Sequence, residues 1–565
     1  MTSINFLPMV VSMFRRSPPV AHERASQPQP SGVSLPADNE RNNERSADTA
    51  VGPVLSGRAA RFVLGTASAT CALIVLDTNV VAVSLPSIAR SFHVGFADVE
   101  WVVSAYMVAF ASCLLAAGGM ADRFGRKKLM IIGLAVFCVA SLGCGLAPSA
   151  LFLNLARAVK GVGAAMLLTS ALAVIANTFQ EGPGRARAWA VWGMCMGLAT
   201  TVAPLVGGVI TQWLGWRWIF LLNLPVCSVL AWCVHRSIRE SRNPQAGAID
   251  VMGSLLFAAS LSLGIWALIG TQTDGWRSLP TVGRFAACAG LLIVFLKIER
   301  NLPHAMIDLS LFRQARFVAA VLSMFGYAAC AQVMMTFLPL YLQNAFGWPA
   351  VNAGIGMLPF ATAMIAGPYI GAWLAGRFSS VTLLTVGLGL IGAGNLLTAS
   401  VSMDQRYWLV ALGMIVTGCG AGILNGDTQK AIMACVPPNR TGMASGISTT
   451  TRFTAIVTSV GVLGAVLASR TQAAFDAALA NAPAVRNSLD PDFLSRLLAG
   501  DAVHATERLA PASKVFIATA APASFASGFA ATLCVAGALA LVIGATVWVL
   551  AGRRIRPAAQ PLGQG

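Results

Sequence analysis

Asp77, Arg157, Lys160 and Arg452 of this 565-residue chain lie deep inside runs apolar enough to cross a bilayer. A charge at mid-bilayer costs about 2.5–3.5 kcal/mol on insertion scales, so each needs a partner or a task. Asp77 lies in LDTNVVAVSLP, residues 76–86, and reads as the only carboxylate deep in the N-terminal half. Removal from water favours the neutral form of a carboxylate, so such a group can take up a proton and release it as water access alternates. The alternative is an Asp77 held ionised by a cation. Arg157 and Lys160, three residues apart, share one helical face and are the candidate cations. The sequence leaves open whether Asp77 titrates with both or with neither. Arg452 reads either as a cation facing a cavity or as an arginine snorkelling towards a helix end.

A second stretch with chemistry is GGMADRFGRKKL, residues 118–129, which holds Gly118, Asp122, Arg123, Gly125, Arg126 and Lys127 between two apolar runs. Clustered cations beside a span mark the cytoplasmic side. Topology alone would account for the cations, but not for Gly118, Asp122 and Gly125 at set spacing, which predicts close backbone approach and a carboxylate held against positive groups. Pro204, Gly207 and Gly208 crowd another span together with Gly193 and Gly197, and Gly418, Gly422 and Gly426 recur at every fourth residue of a third. Proline frees a backbone carbonyl and glycines let helices cross closely, so each set reads as a static packing face or as a place where helices move.

The elements that must position these residues are membrane helices. Hydrophobic residues make up 56% of the chain and charged ones 11%, with a mean hydropathy of +0.70; soluble domains carry about 25% charged residues. Runs of roughly 20 apolar residues fall near 61–86, 98–118, 129–147, 151–176, 188–212, 218–235, 253–270, 283–298, 317–341, 350–375, 381–400, 407–429, 441–468 and 525–550. Fourteen spans with both termini cytoplasmic place about 26 of the 39 Lys and Arg on the cytoplasmic side, about 10 outside and 3 within spans. The net charge of +17 is therefore positive-inside bias, with no nucleic-acid partner implied. Residues 1–56, rich in Pro, Ser, Asn, Glu and Arg, read as a disordered cytoplasmic tail. The apolar patch at 6–14 precedes Arg15 and Arg16, the wrong order for a cleaved signal.

Twelve cysteines without C-x-x-C spacing fit packing better than a disulfide framework. No H-E-x-x-H and no G-x-x-x-x-G-K-[ST] occurs, so neither a metal nor a nucleotide cofactor is expected. MADRF, residues 120–124, is echoed by LAGRF, 374–378, and KGVGAAML, 160–167, by TGCGAGIL, 417–424. The two offsets nearly agree, which predicts a duplicated six-span unit with spans 7 and 8 inserted.

On these residues the chain resembles the fourteen-span drug:proton antiporter branch of the major facilitator superfamily. GGMADRFGRKKL resembles that family's loop between spans 2 and 3, LDTNVVAVSLP its span-1 motif, ARAVKGVGAA its span-4 motif and APLVGG its antiporter motif. GWRWIFLLNLP, residues 215–225, is similar to a segment of the same branch. The resemblance implies an all-α polytopic membrane protein of the major facilitator fold, with two six-helix bundles plus two inserted central helices. It divides the chain into a tail at 1–56, a first bundle at 57–240, the extra pair at 241–312, a second bundle at 313–552 with an external loop at 469–524, and a C-terminal tail at 553–565. It implies proton-coupled export across the inner membrane by alternating access, with protons and a small amphipathic molecule as partners besides membrane lipid. By it, Asp77 and Arg157 couple to protons, the residues of the 118–129 loop latch the cytoplasmic side, and Pro204, Gly207 and Gly208 form the hinge. Asn79, Tyr106, Lys160, Gln332, Asn425 and Arg452 are the pocket candidates. Lys160 stands where the family usually has glutamine, Ala203 where it has glycine, and Asn79 where it has threonine. An extra buried cation at Lys160 leaves room for an anionic or zwitterionic substrate. Rivals are an exporter dedicated to one endogenous metabolite, a non-transporting sensor or scaffold, and a channel. A periplasmic adaptor and an outer-membrane channel are further candidate partners, with 469–524 as their natural contact.

Overall fold

The computed structural model describes residues 57–552, apart from 180–181, 243–249, 302–308, 333, 405, 437–440, 481, 487, 490–492, 500–505 and 507–508. The two tails expected at 1–56 and 553–565 lie outside the described residues. All fourteen apolar runs are helices long and apolar enough to cross a membrane, and no strand occurs among the described residues.

The first bundle comprises α1 (Gly57–Phe92), α2 (Phe96–Phe124), α3 (Arg126–Gly145), α4 (Ala150–Thr178), α5 (Gly182–Trp213), and a sixth span broken into α6 (Trp218–Leu221) and α7 (Asn223–Ser237). The inserted pair is α8 (Val251–Asp274) and α9 (Leu279–Asn301). The second bundle starts with α10 (Ala315–Tyr327), a π-helical turn (Ala328–Gln332) and α11 (Met334–Asn344). It continues through α12 (Ala350–Gly356), α13 (Leu358–Ala375), α14 (Ser380–Val401), α15 (Tyr407–Ala434) and α16 (Thr441–Ala480), and closes with α19 (Pro511–Gly552). Two short helices, α17 (Pro483–Arg486) and α18 (Phe493–Leu498), lie between α16 and α19. Helix starts are capped where the sequence supplies an oxygen: Ser149 accepts from Phe152 N, Asp250 from Gly253 N and Ser379 from Thr382 N. Hydroxyls inside spans are satisfied locally, as where Thr70 and Ser170 donate to the carbonyls four residues back.

The sequence repeat has a packing counterpart. A β-carbon at Gly161 of α4 would collide with the Tyr106 carbonyl of α2, and one at Gly418 of α15 would lie 2.5 Å from the Phe360 carbonyl of α13. Two residues on, Gly163 abuts Phe137 of α3 and Gly420 abuts the Gly387 carbonyl of α14. The echoed glycines thus serve the same helix crossings in each half. Helix α8 packs against α2 and α16, one helix from each bundle, whereas α9 leans on α8 and is the most exposed of the fourteen spans.

Residues 469–524 are not simply a loop. Helix α16 runs on to Ala480 and α19 already begins at Pro511. With α18 they enclose a small apolar core of Phe475, Leu479, Phe493, Leu497, Ile517 and Ala521. The Ala-rich stretches flanking the spans carry enough apolar residues at helical spacing to extend both helices into this cap.

Candidate functional site

Asp77 stands in the middle of α1 and is 2% exposed. Arg157 and Lys160 project from one face of α4, and both are fully buried. The Arg157 guanidinium donates to Asp77 Oδ2 at 3.1 Å, and Lys160 Nζ to Oδ1 at 2.5 Å. Asn223, at the break between α6 and α7, donates to Oδ1 at 2.8 Å. Two cations therefore share one carboxylate, and a fully ionised cluster carries one net positive charge. Arg157 is further fixed by donating from Nε to the Val102 carbonyl at 2.9 Å and by stacking 4.2 Å from the centre of the Tyr106 ring. Lys160 lies 4.6 Å from the centre of the Phe137 ring and 4.9 Å from that of Phe220. The geometry places Asp77 against both cations in a buried, aromatic-lined site.

The pocket candidates divide into two groups. Lys160 and Tyr106 belong to the Asp77 cluster, and Asn79 returns its amide to the Val75 carbonyl of its own helix at 2.8 Å. Gln332, Asn425 and Arg452 come together in the second bundle around Tyr327. Arg452 donates to Gln332 Oε1 at 3.4 Å and to the Tyr327 hydroxyl at 3.3 Å, and that hydroxyl lies 3.1 Å from Asn425 Oδ1. Tyr327 precedes the π-turn and Gln332 ends it, and the turn's freed carbonyls are taken by side chains: Asn395 donates to Cys330 O and Ser459 to Ala329 O. An aromatic ladder joins the two centres, with Tyr106 stacked 5.9 Å from Phe110 and Phe110 edge-on to Phe453, the neighbour of Arg452, at 4.3 Å.

In the 118–129 loop, Gly125 has φ of +114°, which favours glycine, and a β-carbon there would also push on the Glu240 carboxylate. Asp122 pairs with Arg126 at 2.8 Å. The Glu240 carboxylate accepts from the backbone N–H of Lys127 and Lys128 at the start of α3, and Lys127 Nζ donates to the His235 carbonyl. These contacts all stay within the first bundle. Gly118 departs from expectation: it is helical, and a β-carbon there would meet nothing within 4 Å. Arg123 is exposed beside the Phe124 ring.

At the opposite face the bundles close on each other. Gln343 donates to the Val83 carbonyl and Val351 N to Gln212. A β-carbon at Gly208 would lie 2.5 Å from the Ala350 carbonyl, and the Pro204 carbonyl meets Gly354 as tightly. Gly207 abuts Val80 of α1 within its own bundle. The cap spans the seam: Ser495 accepts from Phe96 N at 3.1 Å, and Asn344 donates to the Leu498 carbonyl at 3.2 Å. Glu100, 3% exposed, lies here with its carboxylate against Gly464 of α16, beside a small cavity that Val103, Thr336, Phe337 and Val460 also line. Asp77 is thus not the only buried carboxylate of the first bundle, because Glu100, near the start of α2, is covered by α16 of the second bundle. Glu100, Asn223, Glu240 and Tyr327 are the residues sequence reasoning missed. Only Asn223, a lone amide in an apolar run, carried a local signal.

The Major Facilitator Superfamily model matches residues 67–460. Multidrug resistance protein Stp of Mycobacterium tuberculosis is 33% identical over 398 residues, covering 70% of this chain and 74% of Stp. Multidrug efflux pump LfrA of Mycolicibacterium smegmatis is 30% identical over 478 residues, covering 84% and 93%. Among solved structures, a bacterial homolog of the human lysosomal transporter Spinster, inward-facing and occupied, shares the fold with a TM-score of 0.61 at 16% identity, covering 90% of this chain and 100% of that one. Fourteen apolar helices in two bundles with an inserted pair, and a family model matching most of the chain, make the protein a multi-pass membrane transporter and not an enzyme: it belongs to the Major Facilitator Superfamily.

Proposed function

We propose that the protein is a proton-coupled efflux antiporter that exports small amphipathic molecules across the inner membrane by alternating access. The observation that carries this reading is Asp77, a buried carboxylate bound by Arg157, Lys160 and Asn223 from two other elements. Protonating Asp77 removes the charge that holds α1 to α4, and losing the proton restores it. Such a group therefore biases two packings of the same helices, as alternating access demands. Stp and LfrA bear the names of a multidrug resistance protein and a multidrug efflux pump, which supports the direction and the cargo class.

In this reading the 118–129 loop is cytoplasmic, with both termini on that side, and the seam that joins the bundles lies at the opposite, external face. Asp122, Arg123, Arg126 and Lys127, with Gly118 and Gly125, form the cytoplasmic latch. Pro204, Gly207 and Gly208 form the hinge of α5, where it bears on α1 and α12. Residues 57–240 and 313–552 are the two rocking bundles, with 241–312 as the inserted pair. A periplasmic adaptor, where one is used, would meet the α16–α19 cap.

The test is transport in inverted vesicles under an imposed pH gradient, with the native chain and Asp77→Asn side by side. Substrate-dependent proton release present in the native chain and absent from the variant is expected. Equal release by both would remove Asp77 from coupling, and uncoupler-insensitive flux would point to a channel.

A further inference from the structure

Arg452 is held in an unusual way for a cation within a span. Among the described residues its guanidinium meets only neutral acceptors, the Gln332 amide oxygen and the Tyr327 hydroxyl, and it stacks 5.4 Å from the centre of the Tyr327 ring. An arginine has five N–H donors; among the described residues three of these find no acceptor and no carboxylate lies within ion-pair distance. Glu100 lies against Gly464, 12 residues further along the helix of Arg452, or about 18 Å at 1.5 Å per residue, and Asp427, on the helix of Asn425, pairs with Lys430. Asp77, the other candidate, already answers to two cations. Taken together, the buried ionic groups around the middle of the two bundles leave an excess of positive charge on both sides of the Phe110–Phe453 contact.

Arg452 is only partly buried and its spare N–H groups are not among the sealed polar atoms, so they face space that a ligand can enter. Its planar fork suits an oxyanion, which it can bind with two parallel hydrogen bonds. The neighbours reinforce this. Tyr327 and Gln332 hold the guanidinium plane from one edge, Asn425 fixes the Tyr327 hydroxyl, and the π-turn that presents both is pinned by Asn395 and Ser459. The arrangement is therefore a preorganised cation with part of its hydrogen-bonding capacity unspent.

We propose that the Tyr327–Gln332–Asn425–Arg452 cluster is a subsite for the anionic group of the cargo, a carboxylate or comparable oxyanion. The subsite deepens the efflux reading and depends on it for the existence of a cargo. It makes the preferred substrate an amphipathic acid or zwitterion, with Arg452 as the group that selects it and Tyr327 and Gln332 as positioning residues.

A matched trio of probes separates the outcomes: 1-pyrenebutyrate, its primary amide, and a pyrenylalkyl ammonium of the same length. Binding to the full-length protein in nanodiscs is read by energy transfer from tryptophan, with empty nanodiscs as the partition control. The native protein is expected to favour the carboxylate over the amide by at least about tenfold in Kd. Arg452→Gln should cut that ratio about tenfold, while Arg452→Lys keeps part of it and Tyr327→Phe lowers it by a smaller factor. A native ratio near one, a preference for the ammonium, or an equal loss for all three probes in Arg452→Gln overturns the subsite. The last result would make Arg452 a helix-packing residue. The same probes in inverted vesicles keep the two readings apart. Discrimination in binding without gradient-driven flux retains the subsite and removes the efflux reading, whereas flux without discrimination does the reverse.

Discussion

Two cations on one carboxylate make Asp77 and Lys160 unequal partners, although they touch each other. Asp77→Asn leaves Arg157 and Lys160 buried without a counter-charge, and breaking a buried pair in this way costs about 3–5 kcal/mol. The variant should unfold at a clearly lower temperature in detergent, as followed by intrinsic fluorescence. Adding Lys160→Met should recover a substantial part of that loss, because only one buried cation then lacks its counter-charge, without recovering coupled transport. The two loop glycines offer a second contrast. At Gly125 the backbone has φ of +114°, so Gly125→Ala should cost about 1–3 kcal/mol in backbone strain and contact with Glu240. Gly118 sits in open helix, where alanine is the better helix former by about 1 kcal/mol, so Gly118→Ala should be neutral or mildly stabilising in the same assay.

The helices were legible because a bilayer demands about 20 apolar residues per span and the chain punctuates those runs with charge. Arg157 and Lys160 could be named as partners of Asp77 because a three-residue spacing puts them on one face, while the contact itself joins residues 80 and 83 apart. No local pattern points from Lys127 to Glu240 across 113 residues, or from Arg452 to Tyr327 across 125. The π-turn is equally silent, since Ala328–Gln332 reads as ordinary helix until tertiary partners take its carbonyls. Glycine patterns were ambiguous in sequence and the structure separates them. Gly208 meets the second bundle, while Gly426 has nothing within 4 Å of a built β-carbon. Gly208→Val should therefore force α5 away from α12 and lower transport at least about tenfold at normal expression, whereas Gly426→Ala should leave flux within about twofold. Vesicle transport normalised to protein amount decides both.

For the molecule as a whole, the closed seam and the cap make one mechanical claim. Ser495 of the cap lies against Gly95 at the α1–α2 turn, its β-carbon 3.2 Å from where a β-carbon at Gly95 would stand. That is near the separation a disulfide needs, about 3.5–4.5 Å between β-carbons. Oxidising the Gly95→Cys, Ser495→Cys double variant should arrest transport, and reductant should restore it; the single variants should respond to neither treatment. Transport that continues through oxidation, with the cross-link verified by mass, would mean that the cap rides with the first bundle throughout the cycle. The inserted pair belongs to this scale too. Helix α8 touches both bundles through α2 and α16 and so must accommodate any change in their separation, while α9 leans outward on α8.

The cap also sets an order of assembly. Its apolar core takes Phe475 and Leu479 from α16, Phe493 and Leu497 from α18, and Ile517 and Ala521 from α19. A chain emerging from the ribosome can insert thirteen spans and pair most of both bundles while the strap across the seam still lacks its final wall. Only when α19 arrives does that wall exist, so the barrier at this face closes later than the helices it joins. A nascent transporter, or one truncated before α19, is thereby a loosely shut one.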